Sequence, residues 1–239
     1  MIIDFHSHIG EDIHGESYSL EQLYNDMEET GITRSVVFPF NCPDEQLIKD
    51  SLYLLEESRK DSRLIPFLRF NPNTMTEDKL TSLLKKGFRG LKLHPKAQDF
   101  MPDDHKFFWI YGLAEKLSLP IIFHTKMISG KTSDPERLFE IAETFPNLKI
   151  VMGHFFGDVL DIVDKVKRFP NMYVETSIYS RVFRLQETVI KDSFDRLIFG
   201  SDSPYDHPEV ALLKVLKSDL PKENVDKILY KNALKVLGE

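Results

Sequence analysis

Met1-Ile2-Ile3-Asp4-Phe5-His6-Ser7-His8 opens the chain. An apolar run closing on two histidines one residue apart reads as a β-strand. Side chains alternate across a strand, so His6 and His8 would project from one face, two strand steps apart. Neutral imidazoles are common protein ligands for zinc and similar metals, and a pair fixed on a strand loses little freedom on binding. Two alternating histidines also describe a half-exposed strand face. The pair alone leaves both readings open.

The same pattern recurs downstream. Ile121-Ile122-Phe123-His124 follows Pro120, Ile150-Val151-Met152-Gly153-His154 follows Lys149, and Ile198-Phe199-Gly200-Ser201-Asp202 follows Leu197. Each is a short apolar run ending on a candidate ligand or acid-base group. The C-terminal end of a buried parallel strand is where α/β barrels place their chemistry.

Strand patterns are predicted at Ile2 to His8, Arg34 to Phe40, Leu64 to Phe70, Gly90 to His94, Pro120 to Thr125, Lys149 to His154, Met172 to Ser177 and Arg196 to Ser201. Helical patterns alternate with them: Leu20 to Thr30, Asp44 to Lys60, Thr76 to Lys86, Asp104 to Leu117, Asp134 to Phe145, Val159 to Phe169, Ser180 to Phe194 and a two-piece tail after Pro208. Ser19 before Leu20-Glu21-Gln22 and Asp134-Pro135-Glu136 are N-cap patterns, whereas Thr30-Gly31 and Lys86-Gly87 are helix stops. No linker or composition shift divides the chain. Alternation of this kind predicts an α/β fold, a single compact (β/α)8 TIM barrel over residues 1–239. A dinucleotide-binding open sheet would need a glycine-rich loop after an early strand, and the segment Ile9 to Ser19 holds only Gly10 and Gly15.

Composition narrows the function classes. The 239 residues are 41% hydrophobic and 29% charged, enough for a large soluble core, and the formal charge of -7 argues against a nucleic-acid or anionic-membrane partner. No apolar run approaches the ~20 residues of a membrane span. Cys42 is the only cysteine, so an intrachain disulfide is excluded, and a small half-buried apolar role fits it better than a catalytic thiol. The N-terminus enters the first strand directly, without a basic and apolar leader, and a cytoplasmic location is expected.

Register gives a test internal to the sequence. Strict alternation puts Ile2, Asp4, His6 and His8 on one face of the first strand, Lys92 and His94 together on the fourth, and Ile198, Gly200 and Asp202 together on the eighth. Polar groups then cluster at the C-terminal ends above a mostly apolar floor. Asp4 breaks that rule, and a buried carboxylate needs a hydrogen-bond partner within the site or beside it.

Asp4-Phe5-His6-Ser7-His8, Gly90-Leu91-Lys92-Leu93-His94-Pro95, Ile122-Phe123-His124-Thr125, Gly153-His154 and Phe199-Gly200-Ser201-Asp202-Ser203-Pro204 occur in this order along the chain. In this ordered set the chain resembles the amidohydrolase superfamily of metal-dependent (β/α)8-barrel enzymes. The likeness is to the amidohydrolase-2 branch, which includes aminocarboxymuconate-semialdehyde and resorcylate decarboxylases and lactone hydrolases. The resemblance implies one divalent metal ion, zinc with manganese as the alternative, held by His6, His8, His124 and Asp202. It also implies Asp202 and His154 as catalytic groups, and a homodimer. Some superfamily members carry a carbamylated lysine on the fourth strand bridging two metals. The Gly-x-Lys-x-His-Pro form is associated instead with a single metal, which leaves Lys92 and His94 facing substrate. Plain alternatives are a core histidine at His124 or His154, a helix N-cap at Asp202 and an anchoring ion pair at Lys92.

Around these, Arg69 or Asn71 closing the third strand and Tyr205 after Asp202 are rim candidates. The segment Pro95 to Asp104 is a candidate lid, carrying Gln98 and Phe100 over the pocket. His14, His105 and His207 are expected at the surface. The expected activity is hydrolysis of an amide, ester or lactone of a small molecule by metal-activated water. Non-oxidative decarboxylation on the same scaffold is the alternative. A TatD-type nuclease would want an acidic fourth-strand ligand and a basic groove, and a metal-free binding protein would not need every ligand.

Overall fold

Continuous apolar runs such as Leu64 to Leu68 and Ile150 to Met152 can be buried on both faces only in a sheet covered on both sides, which parallel strands joined by helices provide. The computed structural model describes residues 1–126, 131–157, 162–179 and 181–239. Its strands are β1 Ile3–Glu11, β2 Ser17–Tyr18, β3 Arg34–Pro39, β4 Leu64–Arg69, β5 Gly90–Leu93, β6 Ile121–Phe123, β7 Ile150–Met152, β8 Met172–Glu175 and β9 Leu197–Ile198. They form one sheet in the order β2-β1-β3-β4-β5-β6-β7-β8-β9. Every neighbour is parallel except β2, which pairs antiparallel with the end of β1. The short β2 is an addition to the eight expected strands.

The sheet curls until its two ends meet. Beyond β9 the chain crosses to β1: the Phe5 amide donates to Phe199 O at 2.9 Å, the Asp202 amide to His6 O at 2.8 Å and the His8 amide to Ser203 O at 2.8 Å. This seam makes the curled sheet the expected (β/α)8 TIM barrel.

Inside, Ile3, Phe5, Val36, Phe38, Ile65, Phe67, Ile122, Val151, Tyr173 and Ile198 form one buried cluster, capped below by Ala233 and Val236 of the C-terminal helix Asn232–Leu237. A second, larger cluster lies between the outer face of the sheet and the surrounding helices. Ile3 and Phe5 in the floor overturn the expectation that Ile2, Asp4, His6 and His8 share a face. From Asp4 to Ser7, β1 advances three residues while β3 advances two, from Ser35 to Val37. That extra residue is a β-bulge, and it reverses the alternation. Phe5 and His6 therefore both serve the interior, and Asp4 is turned out of it.

Helices start and stop where the chain signals. Ser19 and Gln22 form a capping box on the helix Leu20–Thr30, which ends at Gly31 with φ 75°. Asp134 accepts from the Glu136 amide at 3.0 Å and opens a 3-10 turn into the helix Leu138–Thr144. The segment expected to be helical from Ser180 to Phe194 is α-helical over Val182–Gln186 and π-helical over Glu187–Lys191, with Ser180 outside the described residues. The segment expected from Val159 to Phe169 contains the helix Val163–Lys167, and residues 159–161 lie outside the described residues. Among the described residues no helix is long and apolar enough to cross a membrane.

Cys42 is half-buried, and burial together with the nearby Asp50 carboxylate pushes its thiol up to about 11. The thiolate is the reactive form, so at pH 8 alkylation should run about a hundredfold slower than for a thiol at the ordinary value, accelerating with pH toward 11. Mass-spectrometric timing of iodoacetamide labelling checks this; reaction at the rate of free cysteine would refute it.

Candidate active site

The bulge in β1 brings His6 and His8 to the C-terminal mouth of the barrel. There they meet Lys92 on β5, His94 just beyond it, His124 after β6, His154 after β7, Glu175 at the end of β8 and Asp202 past β9. His6, His8, Lys92, Glu175 and Asp202 are all buried.

Asp202 Oδ1 lies 2.9 Å from His6 Nε2 and 3.1 Å from His8 Nε2. Among the described residues, donor atoms of His6, His154 and Asp202 all fall within 4.8 Å of one another. His124 reaches this group through His154, its Nδ1 lying 2.8 Å from His154 Nε2.

Glu175 organises the cluster, although no motif in the sequence marks it. His6 Nδ1 is 3.0 Å from Glu175 Oε1, and the His154 and Ser177 amides donate to the two carboxylate oxygens at 2.6 Å each. The Ser177 hydroxyl donates to Oε1 at 2.7 Å, so toward His154 Nδ1, 2.8 Å away, it acts as acceptor. Glu175 thus holds a proton on Nδ1 of His6 directly and of His154 through Ser177. Both Nε2 lone pairs are left facing the cluster, the orientation a metal ligand requires.

Room for this carboxylate is made by glycines on the adjoining strands. A Cβ on Gly200 would stand 2.5 Å from Glu175 Oε2 and 3.2 Å from His6 Cβ, and one on Gly153 would stand 3.3 Å from Oε1. Gly200→Ala is expected to destabilise the protein by about 1–3 kcal/mol and to weaken metal binding, because Glu175 must move. Thermal unfolding and metal titration check it; an unchanged midpoint and affinity would refute it.

His154 begins a left-handed turn, with φ of 59° at His154, 44° at Phe155, 63° at Phe156 and 68° at Gly157. Such a turn costs about 1–2 kcal/mol per non-glycine residue. Packing holds it in place: Phe155 stacks on Tyr179 at 3.9 Å and Phe156 meets Phe194 edge-on at 5.3 Å. The turn carries the His154 imidazole back over the barrel mouth, where strand alternation alone would have placed Gly153.

Burial presses His8 down to about 3 and His154 to about 4, and holds His94 and His124 well below the imidazole range. These four are neutral near pH 7, the form that binds metals. His6 behaves otherwise: burial and Lys92 push it down, but Asp202 and Glu175 outweigh them and raise it. Burial works against ionisation of Asp202 and Glu175, yet His6 and its neighbours hold Asp202 well below the carboxylate range and Glu175 near 2. Burial lowers Lys92 to about 7.

The donor set fits a divalent cation. In neutral His6, with the Nδ1 proton directed to Glu175, the Nε2 lone pair would face Asp202 Oδ1 at 2.9 Å, so a cation, or the second proton that its raised affinity favours, must lie between them. Lys92 Nζ, 2.9 Å from His6 Nε2, supplies one such charge. The buried His8 Nδ1 is without a hydrogen-bond partner among the described residues.

Above the cluster opens a cavity of about 400 Å³, lined by His8, Arg69, His94, His124, His154, Asp202 and Tyr205 among others. Tyr205 stands on the rim, its hydroxyl donating to Asp12 at 3.2 Å and its ring edge-on to His8 at 5.3 Å. His94 stacks on His124 at 3.7 Å, and its Nδ1 accepts from the Ala97 amide at 3.1 Å. Arg69 is buried, donates through one nitrogen to Pro39 O at 2.9 Å, and has no partner for Nε or its second terminal nitrogen among the described residues.

Three expectations change. Lys92 lies beneath the cavity, against His6 and over the Phe38 ring, and faces the donor cluster instead of substrate. Gln98 is a tether: its carbonyl oxygen accepts from the His94 amide at 2.7 Å and its amide group donates to Phe70 O. Phe100 is buried against Phe107. The segment after His94 is consequently a ledge fastened to the barrel, not a lid. Asn71 likewise turns to Asp44 at 3.2 Å. His105 and His207 are exposed, and His14 is an exposed residue at the cavity edge.

Solved structures share this architecture. A 2,6-dihydroxybenzoate decarboxylase from Rhizobium is 17% identical with a TM-score of 0.78, covering 99% of this chain and 98% of that one. A dihydroxybenzoic acid decarboxylase from Polaromonas sp. JS666, solved with manganese and 2-nitroresorcinol, is 15% identical with a TM-score of 0.77, covering 99% and 96%. A provisionally assigned 2-pyrone-4,6-dicarboxylic acid hydrolase from Pseudomonas putida gives 15% identity and a TM-score of 0.77, covering 99% and 97%. At such identities the likeness shows the fold. No curated protein matches the sequence. The amidohydrolase family model, however, matches residues 3–238, and with the ordered strand-end motifs gathered at one mouth, the chain belongs to the amidohydrolase family.

Proposed function

We propose that this protein is a metal-dependent hydrolase acting on the carbonyl of a small amide, ester or lactone. The observation that carries the reading is Asp202, a buried carboxylate kept ionised at the cavity floor within hydrogen-bond distance of two histidines. His6, His8, His124 and Asp202 would hold one divalent ion, His124 turning away from its bond to His154, which stands beside the ion. Zinc suits this nitrogen and oxygen donor set, and the manganese in the Polaromonas structure supports a divalent ion of either kind. When bound, such an ion would supply Lewis acidity toward a substrate carbonyl and toward water. Asp202 would accept the proton of the attacking water, and His154, fixed by Ser177, would orient that water through its Nε2 lone pair.

Arg69 favours a second reading. A buried guanidinium with unpartnered donors at the cavity wall suits a carboxylate-bearing substrate, and the dihydroxybenzoate decarboxylases act on carboxylic acids. In that case Asp202 and His154 would deliver a proton to the carbon that loses carbon dioxide. Metal analysis of the purified protein with an activity panel of esters, lactones and aromatic acids separates the two readings, with His124→Ala as control. Hydrolysis should outrun decarboxylation, and the variant should lose metal and turnover; full occupancy and rate in the variant would overturn the ligand assignment.

A further inference from the structure

The bulge that presents His6 and His8 has no cause in local propensity, because nothing between Asp4 and Ser7 is glycine or proline. Its cause is a side chain. Asp4 Oδ1 accepts from the His6 amide at 3.1 Å, closing a local ring over the extra residue, and from the Ser201 amide at 2.9 Å across the seam. Oδ2 accepts from the Ser7 hydroxyl at 3.0 Å and the Ser201 hydroxyl at 2.5 Å. The hydroxyls extend the network to Ser35 on β3, 2.8 Å from Ser7 Oγ, and to Ser203, 2.6 Å from Ser201 Oγ. One buried carboxylate therefore grips the backbone of both segments that carry the converging donors: β1 with His6 and His8, and the stretch Ser201 to Ser203 that brackets Asp202.

We propose that Asp4 is the positioning residue of the metal centre, setting the distance between the His6/His8 pair and Asp202 by clamping the bulge to the seam. It touches neither the cavity nor the donor atoms and acts through the backbone. The required property is a pair of acceptor positions on one planar group. Asparagine retains it: its oxygen can accept the two amides, and its NH2 can donate to Ser7 and Ser201, whose hydroxyls can reverse. Alanine cannot. The inference rests on the metal-dependent reading and adds the residue that shapes the site.

The test is zinc affinity, by competition with a chromophoric chelator, for the wild type, Asp4→Asn, Asp4→Ala and Ser201→Ala, with thermal unfolding of each chelator-treated protein. Asp4→Asn should bind zinc within about threefold of the wild type. Asp4→Ala should bind about 10–100-fold more weakly, the loss usual when a group behind a ligand is removed. Ser201→Ala, which removes one hydroxyl and leaves the amide, should fall between them and supplies the comparison if Asp4→Ala does not fold. Equal affinity in Asp4→Ala and wild type, or in Ser201→Ala and wild type should Asp4→Ala fail to fold, overturns the proposal. So does an Asp4→Asn loss as large as that of Asp4→Ala, which would make charge the operative property. A wild type that binds neither zinc nor manganese overturns the metal-dependent reading as well, and so distinguishes the two failures.

Discussion

Asp202→Asn is expected to lower turnover by about 10³-fold or more while leaving the barrel folded. Asparagine is the informative replacement because Asp202 has φ 65°, a left-handed conformation that asparagine tolerates and alanine resists. The variant therefore removes the charge without disturbing the backbone between Ser201 and Ser203. It takes away the acceptor that receives a proton from water, a contribution typically worth about 10²–10⁴-fold, and it replaces an anionic metal ligand by a weak neutral one. Two signals should appear together: reduced metal occupancy by elemental analysis, and loss of rate on whichever panel compound the wild type consumes. A variant within tenfold of wild-type rate would remove Asp202 from the reaction.

Glu175→Gln should be the most destabilising isosteric change in the site. The carboxylate accepts from His154 N, Ser177 N, Ser177 Oγ and the His6 imidazole, and a glutamine NH2 must face at least one of these donors. Removing one partner of a buried charged network costs about 3–5 kcal/mol. At ~2–4 °C per kcal/mol for a chain of this size, the melting midpoint should fall by about 10 °C. Metal affinity should fall about 10–100-fold in parallel, because the protons on His6 and His154 lose their anchor. Differential scanning fluorimetry with and without zinc reads both effects. A midpoint within 2 °C of wild type would show that the network tolerates a neutral group, and the tautomer argument would fail.

The barrel and most of its mouth were legible because parallel strands are apolar throughout, so a polar residue closing such a run stands out. His124, His154 and Asp202 follow that rule. Glu175 was not legible: Tyr173-Val174-Glu175 looks like an alternating half-exposed strand, and its burial depends on Gly153 and Gly200, which are neighbours only in the folded sheet. Two glycines near the ends of strands flanking an acidic one were the available signal. The bulge escaped for a related reason, since Ser201, which stabilises it, lies 197 residues from Asp4. The tethering role of Gln98 is hidden in the sequence because its partner, Phe70 O, belongs to another strand end.

The seam between β1 and the chain beyond β9 bears on how the protein matures. His8 and Asp202 are 194 positions apart, so the donor set is assembled from opposite ends of the polypeptide. A nascent chain still short of Asp202 offers the histidines without the carboxylate that joins them, and contacts of such long sequence separation are slow to form. Capture of a metal by this set would therefore be coupled to closure of the seam. An ion bound by this donor set would be held by closed barrels and lost from chains that end before Asp202.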